Sequence, residues 1–155
     1  MLKLIGIILI FNFSVITGVY FSEFQKKKRN VCRELVGVIE YLSNEIPRKR
    51  AVNDIIADVC RGNKYLRTSD KKDLSCKVKM LLSDGSVKEI AEYTETFLDG
   101  IGRGLDVHSE CEACIGFLNR IKPLCESLER ESMRCSGLYS KLGALCGLIL
   151  CILVI

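Results

Sequence analysis

The last nineteen residues of the chain, Gly137-Leu-Tyr-Ser-Lys-Leu-Gly-Ala-Leu-Cys-Gly-Leu-Ile-Leu-Cys-Ile-Leu-Val-Ile155, decide how the rest is organised. After Lys141 no side chain is charged, and in water such a run would be an exposed patch prone to association. A helix over Leu142–Ile155 would be about 21 Å long, against about 30 Å of hydrocarbon in a bilayer. Starting at Leu138, with Lys141 snorkelling, it would reach about 27 Å. The tail is therefore predicted to be a membrane segment rather than a buried terminal helix.

A second apolar run lies at the other end of the chain. Leu4–Phe21 is uncharged and mainly apolar, and it is long enough for a transmembrane helix. The alternative is a secretory signal peptide, which carries its positive charge before the apolar region and a small-residue cleavage site after it. Here the basic cluster Lys26–Arg29 follows the run, and no Ala-x-Ala stands near its end. These features favour an uncleaved membrane anchor.

The basic cluster also predicts the orientation of the chain. Because basic residues stay preferentially in the cytoplasm, the amino terminus should lie outside and the middle of the chain inside. The predicted organisation is an N-terminal transmembrane helix over residues 1–21, a cytoplasmic helical domain over residues 22–140 and a C-terminal apolar tail over residues 141–155. The tail either crosses outward or dips into the same leaflet.

The middle of the chain is predicted to be helical throughout. Apolar residues spaced alternately three and four apart indicate a helical seam, and the first such series is Cys32, Leu35, Ile39, Leu42 and Ile46. Similar patterns of apolar residues, between residues 52 and 59, 74 and 82, and 90 and 101, predict three further helices, and a long last helix leads into the tail. No segment of any length shows the period of a strand. The predicted fold class is all-α, an antiparallel helical bundle flanked by N- and C-terminal transmembrane helices.

Several residues are predicted to end or begin these helices. Pro47 should end the first domain helix, and Ser86-Val-Lys-Glu89 is a capping box for a later one. Asp106 is a suitable N-cap for the last helix. Pro123 falls inside that helix and should kink it or divide it in two, because proline has no N–H to donate.

Composition favours a protein that is neither secreted nor bound to nucleic acid. The 155 residues are 48% hydrophobic, with a net charge of +4 and nine cysteines. The cysteines are interpreted as reduced thiols of a cytosol-facing protein that serve mostly as small apolar residues, since no cleavable signal accompanies them. No interleaving of basic and aromatic residues predicts a nucleic-acid surface.

Candidate chemistry is sparse. His108-x-x-Cys111-x-x-Cys114 has spacing found in zinc sites, with Cys125 or Cys135 as a fourth ligand, but the cysteines also fall on the apolar seam of the last helix. Gly100-Ile-Gly-Arg-Gly104 follows a helix rather than a strand and indicates a turn between helices. Acidic residues that are predicted to be solvated are Asp54, Asp58, Glu110 and Glu112. No phosphate-binding loop or catalytic set is present, so the prediction is a non-enzymatic scaffold without cofactor or metal.

Four segments resemble one known family. They are Met1-Leu-Lys-Leu-Ile-Gly6, Glu45-Ile46 with Ala51-Val-Asn-Asp-Ile-Ile-Ala57, Phe97-Leu-Asp-Gly-Ile-Gly-Arg-Gly-Leu-Asp106, and the tail from Lys141. In this order they resemble the stage III sporulation protein AB family of endospore-forming bacteria. The family belongs to the mother-cell half of the complex between mother cell and forespore. It is similar to the inner-membrane platform proteins of type II secretion.

The resemblance implies a structural role in the mother-cell membrane around the forespore. It implies a cytoplasmic ATPase (the family's companion AA protein) and other stage III sporulation proteins as partners, with self-association also open. No catalytic residue carries over. The residues expected at a partner interface are Arg48, Lys49 and Arg50 beside the Pro47 turn, and Asp106 beside the glycine turn. Two other hypotheses stay open: a membrane-tethered thiol-based metal or redox sensor, and a membrane-permeabilising protein of holin type.

Overall fold

The computed structural model of this chain is all-α, as predicted. It describes residues 2–48, 50–82, 87–103 and 106–154, and within those ranges it contains no strand. The α-helices in them are α1 Leu2–Glu45, α2 Val52–Cys60, α3 Lys71–Leu81, α4 Lys88–Gly100 and α5 Val107–Val154, and a 3-10 turn, Ile46–Arg48, follows α1. The predicted apolar patterns fall within these helices, except that Ile46, Leu82 and Ile101 each lie just past the end of one.

Helices α1 and α5 are much longer than the others, at 44 and 48 residues. The sequence predicted that the first and last helices of the bundle continue into the apolar ends of the chain, and the structure confirms one unbroken helix at each end. Helix α5 passes through Pro123 without ending, so of the two outcomes predicted there, a division of the helix is wrong. Pro123 is exposed, and the carbonyl group that it leaves without an N–H partner can therefore be hydrated.

The helix boundaries predicted at Pro47 and Asp106 are confirmed. Helix α1 ends at Glu45, two residues before Pro47, and α5 begins directly after Asp106, whose carbonyl oxygen accepts the Glu110 N–H at 3.0 Å. The side chain of Asp70 caps α3 by accepting the Asp73 N–H at 2.8 Å. The capping box predicted for α4 depends on Ser86, which lies outside the described residues.

The chain divides into two compact units, and α1 and α5 contribute to both. The first unit contains Met1–Lys27 and Glu129–Ile155, and the second contains Lys28–Leu128. Packing defines these units, whereas the boundaries predicted at residues 21 and 140 refer to membrane crossing and stay a prediction.

The second unit holds the hydrophobic core. Contacts between α1 and α5 run in reverse order along the two helices, so that these helices are antiparallel there. Lys122 Nζ lies 2.7 Å from Glu40 Oε1, and Cys111 Sγ lies 3.9 Å from the carbonyl oxygen of Ser43. The rings of Phe97 and Phe117 stack at 4.4 Å between α4 and α5. Large side chains that are completely buried include Leu35, Ile39, Leu42, Ile55, Ile56, Leu66, Leu74, Leu82, Ile90, Leu98 and Ile121.

Candidate functional site

The turn after α1 carries three of the residues that the sequence predicted at an interface. Arg48 pairs with the buried carboxylate of Glu45 at 2.6 Å, and Arg50 reaches the same carboxylate at 3.5 Å and also pairs with Asp58. The hydrogen bond from Arg50 lowers the pKa of the Asp58 carboxyl, so Asp58 belongs to an ion-pair network rather than being merely solvated. Lys49 lies outside the described residues. The two arginines thus stabilise the turn while part of each remains exposed.

The glycine turn before α5 lies next to this first turn. Gly102 has a positive φ of 74°, and a methyl group placed on it would lie 3.2 Å from Val52 Cγ2 at the start of α2. The ammonium group of Lys71 donates a hydrogen bond to the carbonyl oxygen of Ile101 at 2.9 Å. These contacts join the beginnings of α2 and α3 to the turn between α4 and α5.

A surface cavity of about 340 Å³ lies where these turns meet. Its lining residues are Arg50, Ala51, Val52, Asn53, Lys71, Gly102 and Glu110. Among the described residues of the predicted interface set, Arg50 lines this cavity. Asp106 is exposed and is not among the lining residues, so this cavity does not unite the predicted interface residues.

The prediction that Glu110 is a solvated helix residue is wrong. Its side chain is buried, and Oε1 accepts the Gly102 N–H at 3.0 Å. The acidic residue thereby satisfies a backbone donor of the glycine turn from the first turn of α5, where the helix dipole favours negative charge. Its place in that turn is the sequence signal that could have identified this role.

Glu34 is a structural site that the sequence patterns did not reveal. Its carboxylate accepts three backbone N–H groups of the loop between α2 and α3, those of Lys64, Tyr65 and Leu66, at 3.1, 2.9 and 2.9 Å. The loop has no helical hydrogen bonds of its own, and these donors need partners. No sequence signal could have found this contact, because the partners lie about thirty positions apart.

All nine cysteines are described, and all are free thiols. Burial raises the pKa of Cys60 to about 11 and that of Cys114 to about 12. The pKa of Cys32 is raised by its hydrogen bond with Cys125 and by burial. Raised pKa values keep thiols protonated, and protonated thiols are poor nucleophiles and metal ligands.

The proposed zinc ligands do not come together in the structure. Among the described residues, no three His, Cys, Asp or Glu side chains are placed to hold one metal ion. His108 is exposed and lies 3.5 Å from Glu112, whereas Cys114 is buried in the core. The metal-sensor hypothesis therefore gains no ligand set from this arrangement.

The first unit consists of the apolar ends of α1 and α5 in contact with each other. Both helices are long and apolar enough, by length and composition, to cross a membrane, and only 11% and 6% of their apolar windows are buried. A core helix of a soluble protein would be mostly buried. A cavity of about 570 Å³ runs along the pair, with lining residues that include Leu9, Phe13, Leu142 and Leu150.

Comparisons with protein-family models, with curated proteins and with solved structures give no match to this chain. The class of the protein therefore rests on its own fold and sites. It is an all-α protein with two helices that could each span a membrane, and the ion pairs and hydrogen bonds described above stabilise the turns and loops of its second unit.

Proposed function

We propose that this protein is a non-enzymatic membrane platform of a sporulation-specific transenvelope complex, where it couples a cytoplasmic ATPase to membrane components. The observation that carries the proposal is the continuity of α1 and α5. Each helix runs unbroken from an apolar segment into the core of the second unit. A continuous helix can transmit a displacement along its axis, whereas a flexible linker would absorb it.

In this proposal the second unit is an antiparallel helical bundle in the mother-cell cytoplasm. The reversed contacts of α1 and α5 support the bundle. The cluster Lys26–Arg29 supports the cytoplasmic side, because basic residues next to a membrane segment are retained there. The complex and its ATPase are proposed from the resemblance of the chain to the stage III sporulation protein AB family.

The proposed partner surface contains the exposed parts of the two turns. Arg48 is 72% exposed in its side chain, and Asp106 is exposed as well. Both sit on turns that buried carboxylates hold in place, Glu45 for the first and Glu110 for the second. A rigid pair of turns would present charged side chains to a partner with little ordering cost.

The membrane topology tests this proposal directly, and Cys76 is a suitable reporter because it is the exposed cysteine of the second unit. An impermeant maleimide should leave Cys76 unlabelled in sealed protoplasts and label it after lysis. The Cys76→Ala variant is the matched control, since it removes this signal and keeps the other thiols. Labelling of Cys76 from outside would separate the unit from any cytoplasmic ATPase and refute the platform.

A second experiment tests the partner surface in the native sporulating host. Changing Arg48 and Asp106 to Ala should reduce recovery of the ATPase with the membrane protein and lower spore yield. Arg61→Ala is the matched control, because Arg61 is 78% exposed and its one described ion pair is a loose contact of 3.8 Å. Equal effects of both changes would refute the assignment of these turns, and normal spore yield after deletion of the whole chain would refute the function.

A further inference from the structure

Small residues line the contact between the two apolar segments. Ser14 and Gly18 lie four apart in α1, and Gly143 and Gly147 lie four apart in α5, so that each pair occupies one face of its helix. We call these four residues the small-residue seam. In membranes such spacing lets two helix backbones approach closely, since lipid gives apolar helices no hydrophobic reason to associate.

The backbones at the seam are in direct contact. A methyl group placed on Gly18 would lie 2.7 Å from the carbonyl oxygen of Tyr139 and 3.2 Å from Gly143 Cα. One placed on Gly143 would lie 2.8 Å from the carbonyl oxygen of Ser14. The atoms in the way belong to backbone, which cannot move aside as a side chain can. Residues larger than glycine would therefore force the helices apart.

A hydrogen bond also crosses the seam. The hydroxyl of Ser14 donates to the carbonyl oxygen of Gly143 at 2.6 Å. The other polar residues of this segment bond within their own helix, Asn12 to the carbonyl oxygen of Ile8 and Thr17 to that of Phe13. Ser14 is thus the member of this polar set that is directed at the partner helix.

The register of the two helices shows how far the short tail extends alongside α1. Contacts run in reverse order from Phe21, whose ring lies 6.0 Å from that of Tyr139, to Ile7, whose carbonyl oxygen lies 3.6 Å from Cys151 Sγ. This part of α1 is about 21 Å long. The tail therefore accompanies α1 over most of its apolar run instead of ending beside its middle.

We propose that the two ends of the chain enter the membrane as one antiparallel pair of helices within the same molecule, which we call the hairpin. The small-residue seam holds the short tail across the bilayer. The proposal rests on the membrane placement proposed above. It assigns the tail a partner, the N-terminal helix of the same molecule. It also places both chain termini on the same, non-cytoplasmic side of the membrane.

A disulfide across the seam tests the hairpin in the full chain. A methyl group on Gly147 would lie 3.3 Å from Ser14 Cβ, close to the Cβ separation of about 3.5–4.5 Å in disulfides. The variant carries Ser14→Cys and Gly147→Cys, with Cys135, Cys146 and Cys151 replaced by Ala. Membranes are oxidised and quenched, and the linked peptides are identified by mass spectrometry. The control moves the second cysteine to Gly137, which has no neighbour within 4 Å and lies about 15 Å away along α5.

An intramolecular link in the test variant and none in the control would support the hairpin. A link found only in disulfide-bonded dimers would overturn it, because the seam would then join two molecules. A chain that resists carbonate extraction but forms no link would overturn the hairpin and leave the membrane anchoring intact. A chain that carbonate removes would overturn the anchoring of the proposed function, even if the link formed.

Glycine substitutions give an independent test that uses the same disulfide as reporter. Gly18→Ala should lower the yield of the link about tenfold, a loss equivalent to about 1.4 kcal/mol. Gly6→Ala is the matched control on the same helix, because a methyl group there meets nothing within 4 Å. Equal yields in the two variants would overturn the role of the seam.

Discussion

Single carboxylates organise the irregular parts of this protein. Glu34 accepts three N–H groups of the loop between α2 and α3, and Glu110 accepts one from the glycine turn. Hydrogen bonds to a charged acceptor are stronger than those between neutral groups. Each glutamate therefore provides a hydrogen-bond acceptor for backbone N–H groups that lie outside regular secondary structure.

Replacing Glu34 should destabilise the loop more than any exposed charge does. Glu34→Ala leaves three backbone donors without their acceptor, and we expect a loss of about 2–3 kcal/mol in the free energy of unfolding. Denaturant unfolding of the full chain in detergent, followed by circular dichroism, would measure it, and the amides of residues 64–66 should exchange faster with deuterium. Glu40→Ala on the same helix is the control and should cost less than about 1 kcal/mol, because its pair with Lys122 is half exposed. Equal losses would contradict the assignment.

The buried thiols predict the direction of an alkaline pH dependence. Cys60 and Cys114 have pKa values of about 11 and 12 in the folded chain, against an ordinary value of 9.0. Above pH 9 the unfolded chain loses protons that the folded chain keeps. Stability should therefore fall between about pH 9 and 12, by at most about 1.4 kcal/mol per pH unit for each thiol.

Denaturant unfolding at several pH values would measure this slope. Cys60→Ala should reduce it, since one of the two thiols is then absent from both states. A stability that stays level or rises over this range would contradict the prediction.

At the scale of the elements, the role of each glycine and proline depends on its backbone conformation and on the atoms around it. Gly102 is needed because its φ of 74° is one that other residues rarely adopt, and because Val52 closes the space beside it. Gly100, two residues earlier, ends α4 and has nothing within 4 Å of an added methyl group. Neighbouring glycines in one turn thus have distinct roles.

Alanine substitutions should separate these two glycines. Gly102→Ala should lower the free energy of unfolding by about 1–2 kcal/mol, through strain at positive φ and contact with Val52. Gly100→Ala should be neutral or raise it by up to about 1 kcal/mol, because alanine favours helix. Thermal and denaturant unfolding would measure both. Losses of equal size would show that backbone conformation is not the cause.

Pro123 offers a second test at this scale. Helix α5 continues through it although one N–H is missing, so Pro123→Ala should restore that hydrogen bond and stabilise the chain by about 1–3 kcal/mol. Gly116→Ala in the same helix, where nothing lies within 4 Å of the added methyl group, calibrates the gain that comes from helix propensity alone, about 1 kcal/mol. A loss of stability in Pro123→Ala would mean that the proline is accommodated by a local geometry that alanine disrupts.

At the scale of the whole molecule, α1 and α5 each contribute residues to both compact units. If the platform transmits displacement through these helices, a break in one of them should impair function without preventing the chain from folding. Met133→Pro with Arg134→Gly places such a break at exposed positions of α5. We expect normal membrane insertion with a strongly reduced spore yield. The control, Met133→Ala with Arg134→Ala, keeps the helix and should retain sporulation, and equal yields of both variants would contradict the coupling.

Helical periodicity accounts for how much of the fold could be predicted. Residues such as Leu35, Ile39 and Leu42 repeat at the spacing of one helix face and are completely buried. Pro47 and Asp106 mark boundaries through local backbone chemistry. The role of Glu34 was missed, because a hydrogen bond between distant backbone and side-chain groups leaves no periodic signal, whereas the place of Glu110 in the first turn of α5 was a signal that could have been used.

The sequence by itself determined the all-α class, the helix boundaries at Pro47 and Asp106, and the two apolar ends, because these follow from local composition and spacing. Only the tertiary structure decided that the apolar ends contact each other at Gly18 and Gly143, and that Arg50 and Glu110 line one cavity. The physical reason is that backbone approach and burial of charge depend on which distant segments meet, and that is set by packing.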